Sequence, residues 1–257
     1  MKLSIIMPVY QDLVAAHMCL NSLQMFDSTN DNQYIIQDDT SPNFHGMAVF
    51  SQLICEPQRN ETNLGFAGNC NAGAARATGD VLFFVNQDVY AVPHWAYGWD
   101  YQLLRVFNEQ PDVQIVGLRL LFPDGRIQSA GGWYDGKGQP YHRCLGYSNP
   151  HAPEVSTPRE MSWVTGAALA IRRSTFEKVG GFDTAYERGY FEDVDLCEKV
   201  KTLGGKVWYE PRATLIHRVG TTGGNPNFLK NARLFHSRWV ANHRVKPDTS
   251  AVMENFW

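Results

Sequence analysis

Val81-Leu82-Phe83-Phe84-Val85-Asn86-Gln87-Asp88 is a run of five apolar residues that breaks directly into three polar ones. Such a run, made of β-branched, aromatic and aliphatic residues, reads as a strand buried on both faces. Gly79 just before it ends a small-residue helix that opens in Asn63-Leu64-Gly65-Phe66-Ala67-Gly68 and continues through Ala77. Further upstream, residues 3–7 read as a buried strand and Leu13 to Phe26 as a helix with Ala16, Leu20 and Leu23 on one face. Tyr34-Ile35-Ile36 is another short strand, stopped by Asp38-Asp39-Thr40-Ser41-Pro42. Strands alternating with helices predict an α/β fold whose mostly parallel central sheet carries helices on both faces. Functional polar residues of such sheets collect at the carboxyl ends of the strands. Here those ends carry Tyr10, Asp38 and Asp39, and Asn86-Gln87-Asp88, which predicts one shared crevice.

Beyond residue 110 the texture changes. Val113 to Leu121 gives strand signals, and Pro123-Asp124-Gly125 marks a turn. Residues 131–160, rich in Gly, Pro, Tyr and His, predict a long irregular excursion. Order returns at Trp163 to Arg173 and Phe176 to Phe182, followed by Tyr190-Phe191-Glu192-Asp193-Val194-Asp195. That acidic stretch starts a helix whose apolar face is Leu196, Val200 and Leu203. Val207-Trp208-Tyr209 and Ala213 to His217 read as two short strands. Gly220 to Pro226 reads as a mobile loop, and Phe228 to Trp239 as a basic helix.

The 257 residues suffice for one large α/β domain or two small ones. A formal charge of −3 and no Lys/Arg run give no nucleic-acid footprint. Five scattered cysteines without a C-x-x-C pair argue against a disulfide framework or a structural zinc site and fit a reducing compartment. No apolar run approaches the roughly 20 residues of a membrane span, so a cytoplasmic protein is expected, with contact at the inner face of a membrane still open.

Several residues are candidates for chemistry, each with a plainer alternative. Asp88, just past a buried strand, can hold a hard divalent ion against a diphosphate, or can be an ordinary turn residue. Asp39 can accept from a base N–H or close an Asx-turn. His217 ends a strand and is either structural or a metal ligand. The acids at 192, 193 and 195 suit either a general base or a favourable helix start. The Asn63–Gly73 stretch lacks the G-x-G-x-x-G of a dinucleotide site, so Gly65 and Gly68 are expected to let backbone approach a ligand.

In this order the segments resemble the family 2 glycosyltransferases of the GT-A fold, nearest to their rhamnosyltransferase and galactofuranosyltransferase type. The matching text is Ile5 to Tyr10, Asp38 to Ser41, Asn63 to Gly73, Phe83 to Asp88, Pro123 to Gly131, Thr165 to Ala168, Val179 to Asp183, Phe191 to Leu196 and His217. It spans about residues 3–240. The resemblance implies a Rossmann-like sheet in one domain over residues 1–240, with about 1–110 holding the nucleotide sugar and about 111–217 the acceptor and catalytic parts. Residues 218–257 would add a lid and a C-terminal helix.

The same resemblance implies roles. Pro8, Val9, Tyr10 and Asp39 would hold the base of a UDP or dTDP sugar, with Asp38 in support. Asn63, Gly65 and Asn71 would line the nucleoside, with Asn86 and Gln87 beside it. Asp88 and His217 would bind Mn2+ or Mg2+, Asn86 standing where the family's D-x-D motif has its first acid. Asp193 would be the catalytic base with Glu192 as neighbour, and Asp195 a helix-start residue. Trp163 and Gly166 would shape the side of a glycan or lipid-linked acceptor. The helix N-terminus is expected to lower the pKa of Asp193. The implied activity is inverting, metal-dependent transfer, with rhamnose among the candidate sugars, in polysaccharide biosynthesis. A relative that binds nucleotide or glycan without transfer is the alternative. A nucleotidyltransferase would need a Gly-rich basic loop that Pro8 to Leu13 lacks.

Overall fold

The computed structural model describes residues 1–42, 55–219, 225–245 and 247. Its framework is a sheet of β1 (Leu3–Val9), β2 (Gln33–Asp38), β3 (Gln58–Arg59), β4 (Val81–Val85), β5 (Val89–Tyr90), β6 (Val113–Leu121), β7 (Ile127–Ser129), β10 (Arg159–Glu160), β11 (Ala168–Arg172) and β12 (Lys206–His217). The order across it is β10-β12-β6-β11-β4-β1-β2-β3, with β5 pairing β12 and β7 pairing β6. The strands β1 to β4 run parallel, as do β6 and β12. By contrast β11 runs antiparallel to both neighbours, so the sheet is mixed. One continuous sheet therefore joins the two halves expected on either side of residue 110.

Side chains alternate across a strand, and that period of two divides the core. Ile5, Met7, Val9, Phe83 and Val85 point to one face, where α1 (Leu13–Met25) and α4 (Trp99–Glu109) cover them with Leu20, Leu23, Trp99, Leu103 and Phe107. The short α3 (Pro93–Ala96) leads into α4. Ile6, Leu82 and Phe84 point to the other face, under α2 (Gly65–Ala74), α6 (Arg173–Lys178), α7 (Glu192–Thr202) and α8 (Phe228–Phe235). The 131–160 excursion is more ordered than its composition suggests. It holds a hairpin of β8 (Gly132–Tyr134) and β9 (Pro140–His142), then α5 (Pro153–Ser156), over a third apolar cluster that includes Ile127, Val155 and Met161.

Three further expectations change. The two strands expected in 207–217 are one, β12, with register shifts between Glu210 and Thr214, around Pro211. Leu203 lies past the end of α7 and is 47% exposed, so Val194, Leu196, Cys197 and Val200 carry its apolar face. The basic C-terminal helix is regular only to Phe235 and continues as a π-helical turn over His236–Val240. Residues 220–224 of the expected lid lie outside the described residues. All five cysteines are free, and among the described residues no helix is long and apolar enough to cross a membrane.

Candidate active site

The carboxyl ends of the parallel strands meet at one rim. At its first edge, Gln87 acts as a surrogate peptide group. It accepts from the Tyr10 amide at 2.8 Å and donates to the Tyr10 carbonyl at 3.0 Å, clipping the end of β1 to that of β4. Pro8 and Val9 are buried within β1 itself. Asp38 is fully buried, accepts from the Ser41 amide at 3.1 Å and lies 3.5 Å from the Arg59 guanidinium.

Asp39 caps a helix at long range. The residue before α2 is Leu64, whose side chain can satisfy none of the free N–H groups of the first turn. Asp39 does so from the end of β2, accepting from the amides of Leu64 at 2.7 Å and Gly65 at 2.9 Å and from Asn60 Nδ2 at 2.9 Å. Asn63 Nδ2 donates to the Asp39 carbonyl at 2.9 Å. Gly65 has φ +70°, a conformation that side chains disfavour, and packs within van der Waals reach of the Arg188 backbone. Asn71, expected to line the nucleoside, instead engages the backbone of Phe182 with both ends of its amide, at 2.8 and 3.0 Å. Its reach is taken up inside the fold, so that expectation is corrected.

At the second edge Asp88 Oδ1 and His217 Nε2 stand 3.2 Å apart, both side chains 8% exposed. They are brought together by the pairing of β5 with β12, which sets His217 opposite Val89. Gln128 Oε1 lies 3.4 Å from His217 Nδ1, a contact that favours a proton on Nδ1 and leaves Nε2 to face Asp88. Asn86 Nδ2 is 3.5 Å from His217 Nε2, and Asn86 Oδ1 is buried with no partner among the described residues. This donor set suits a hard divalent ion: one carboxylate, one imidazole and an orphaned amide oxygen. Two neighbouring ligands of an octahedral ion at ~2.1 Å lie about 3 Å apart, close to the observed spacing. Among the described residues no three His, Cys, Asp or Glu gather, so phosphate oxygens or water would complete the shell.

At the third edge, the start of β11, Ala167 accepts from the Asn86 amide at 3.0 Å, while the Gly166 amide donates to Asp193 Oδ2 at 2.8 Å. Asp193 is thus tied to the same rim as the Asp88–His217 pair. Its Oδ1 accepts from the Val194 amide at 2.8 Å. The expected lowering of its pKa does not occur. Burial pushes the carboxyl up and outweighs the amides of Gly166 and Val194 and the Thr165 hydroxyl, which pull it down. Glu192 is held well above the ordinary carboxylate range by burial and by Asp193, and its Oε2 has no partner among the described residues.

Packing adds detail at two further positions. Asp195 does more than start a helix, for it is fully buried. It accepts from Trp239 Nε1 at 2.7 Å and Tyr186 Oη at 3.0 Å, and lies 3.1 Å from Lys199 Nζ. Trp163 is 4% exposed, donates to the Trp133 carbonyl at 3.1 Å and tilts onto His142, so its ring is packed as a wall. The His142 imidazole is pushed down to about 4 by burial and by nearby His217, and stays neutral. Sequence reasoning missed the parts of Gln128, Thr165 and His142. Gln128 stands three residues after Gly125 in the turn that precedes β7, the one local signal that could have marked it.

The sequence pattern described as "Glycosyl transferase family 2" matches residues 4–179. An uncharacterized protein of Sinorhizobium fredii is 28% identical over 260 residues, covering 95% of this chain and 28% of its own length. The N-acetylglucosaminyl-diphospho-decaprenol L-rhamnosyltransferase of Mycobacterium tuberculosis is 30% identical over 159 residues, 57% of this chain and 50% of that one. Among solved structures, GalNAc-T7 with UDP, GalNAc and Mn2+ superposes with a TM-score of 0.72 at 17% identity, over 93% of this chain and 48% of that one. The chain spans half or less of each of these relatives. The likeness in structure establishes a GT-A-like α/β fold, and with the family pattern covering well over half of the sequence, the chain belongs to glycosyl transferase family 2.

Proposed function

We propose that the chain transfers a sugar from a nucleoside diphosphate sugar to an acceptor hydroxyl, with inversion, using Asp193 as general base and a divalent ion at Asp88 and His217. The observation that carries this is the shared rim: Gly166–Ala167 holds Asp193 through one amide and the Asp88 turn through the next carbonyl. The fold of a relative solved with UDP and Mn2+ supports a donor of this type, and a rhamnosyltransferase among the relatives makes rhamnose the first sugar to test. The acceptor would be a glycan or a lipid-linked saccharide, the latter requiring contact with the inner face of a membrane. Residues up to about 110 would hold the donor and 111–217 the acceptor.

Each residue then has a task. Tyr10 and the Asp39 turn border the base, with Asp39 fixing the α2 start that faces it. Gln128 orients His217, and Asn86 faces the same imidazole with its amide nitrogen, leaving its oxygen unpartnered among the described residues. A divalent ion bound there would neutralise charge developing on the departing diphosphate. Asp193 takes the proton of the acceptor hydroxyl as that oxygen attacks the anomeric carbon from the face opposite the leaving group. Burial serves this base, because a raised pKa strengthens a carboxylate that must remove a proton. Glu192, kept neutral beside it, leaves Asp193 as the ionised member of the pair.

Thermal stabilisation by UDP and dTDP with and without Mn2+ tests donor binding, since a ligand specific to the folded state raises the melting temperature. Metal-dependent stabilisation by either nucleotide supports the reading, and none with both overturns it. A protein that is stabilised yet transfers no sugar across a panel of donors and acceptors would favour the non-transferring alternative suggested by Asn86 in place of an acid.

A further inference from the structure

Residues Arg188, Gly189, Tyr190 and Phe191 have φ of +61°, +105°, +68° and +75°. Three of these four consecutive residues carry side chains that disfavour the left-handed region, and such a run persists only where its surroundings over-determine it. The surroundings here are two asparagines from the C-terminal segment. Asn231, fully buried on α8, directs its Nδ2 at the carbonyls of Glu187, Gly189 and Tyr190, at 3.0, 2.8 and 3.3 Å. Asn225 Nδ2 donates to the carbonyls of Glu187, at 3.0 Å, and Gly189. Phe228 packs on Tyr190 and Phe191, and Phe235 on Phe191.

This turn delivers the chain into α7, whose second residue is Asp193. The Phe191 carbonyl accepts from the Asp195 amide at 2.8 Å, so the last left-handed residue also closes the first turn of the helix. If the turn relaxed into the right-handed or extended region, the entry of α7 would rotate and Asp193 would leave the Gly166 amide.

We infer that Asn231, with Asn225 in support, is a positioning residue for Asp193: it locks a left-handed turn that sets the general base against Gly166. The inference rests on the assignment of Asp193 as the base. Among the described residues the Asn231 side chain hydrogen-bonds to the turn alone, so its effect passes through the turn.

Asn231→Asp keeps the size of the side chain and removes its donors. With Asp193 loosened from its amide partners, kcat should fall by about tenfold. KM for the nucleotide sugar should stay within about twofold, because uniform binding is untouched. The acidic limb of the kcat–pH profile should move to higher pH, since Asp193 loses the hydrogen bonds that hold its pKa down. A lower melting temperature with an unmoved acidic limb and wild-type kcat would overturn the inference and leave Asn231 a purely structural residue. Should Asn231→Asp not fold, Asn225→Ala at a partly exposed position is read by the same limb, with a smaller shift expected and none overturning the inference. Asp193→Asn is measured alongside. If it transfers at the wild-type rate, the base assignment fails and the positioning role with it. If it is inactive while the Asn231 limb is unmoved, only the positioning role fails.

Discussion

The Gly166 amide and the Asp193 carboxylate are joined at 2.8 Å, although 27 positions separate them, and an added side chain at Gly166 would sit 3.3 Å from Asp193 Cβ. The acid is therefore pinned by backbone, and any side chain at position 166 would crowd it. Asp193→Asn keeps the size of the side chain, gives up one of the two amide hydrogen bonds and cannot take the acceptor proton. Transfer should drop by about 100-fold or more, while nucleotide affinity, measured by calorimetry with Mn2+, should stay near wild type. Wild-type transfer by the variant would remove Asp193 from the reaction.

Glu192 makes stability depend on pH. Its folded pKa lies well above the ordinary range through burial and the charge of Asp193, whereas the unfolded chain titrates normally near ~4.3. The folded state then binds the proton more tightly, so this contribution is complete below the unfolded pKa and is lost as pH rises through the raised one. Glu192→Gln stays neutral throughout. Its melting temperature should gain on the wild type steadily as the pH rises above about 4. A constant difference across that range would show that Glu192 titrates normally.

Metal affinity should follow the chain of contacts outward. Asp88→Ala and His217→Ala should each strongly weaken Mn2+-dependent nucleotide binding. Gln128→Leu, one contact further out, should weaken it by about tenfold with the fold intact. Titration of Mn2+ by electron paramagnetic resonance reads all three without turnover. An unchanged response in both Asp88→Ala and His217→Ala would place the ion elsewhere.

Gly132 is the tightest point of the hairpin wall. A Cβ there would fall 2.0 Å from the Trp163 ring, and the two residues also exchange backbone hydrogen bonds at 2.9 and 3.3 Å. Gly132→Ala should cost about 1–3 kcal/mol in urea denaturation. A loss well below that would mean that Trp163 can swing away, and that the ring is free to meet an acceptor after all.

What was legible in the sequence was whatever the local pattern controls. Runs such as Val81–Val85 show their burial directly, and polar residues at strand ends mark the rim. The direction of β11 was not legible, because its alternation is the same either way and only its pairing with Val85 and Gly117 fixes it. Pro211, flanked by Glu210 and Arg212, breaks the pattern of β12 without breaking the strand. The reach of Asn71, Trp163 and Asp195 was decided by partners far along the chain. For Asp193, the dipole of its own helix was visible in sequence and pointed down; the burial that reverses it came from the whole fold.

The reversal of β11 has a consequence for polarity. Parallel strands arriving at a rim present their carboxyl ends, where backbone carbonyl oxygens are available and cations are welcome. A strand that sets out from the same rim presents its amino end instead, and Gly166 just before β11 supplies an N–H. One backward strand gives a single crevice backbone dipoles of both signs, so that a carboxylate can be anchored beside a place suited to a metal without a basic side chain between them.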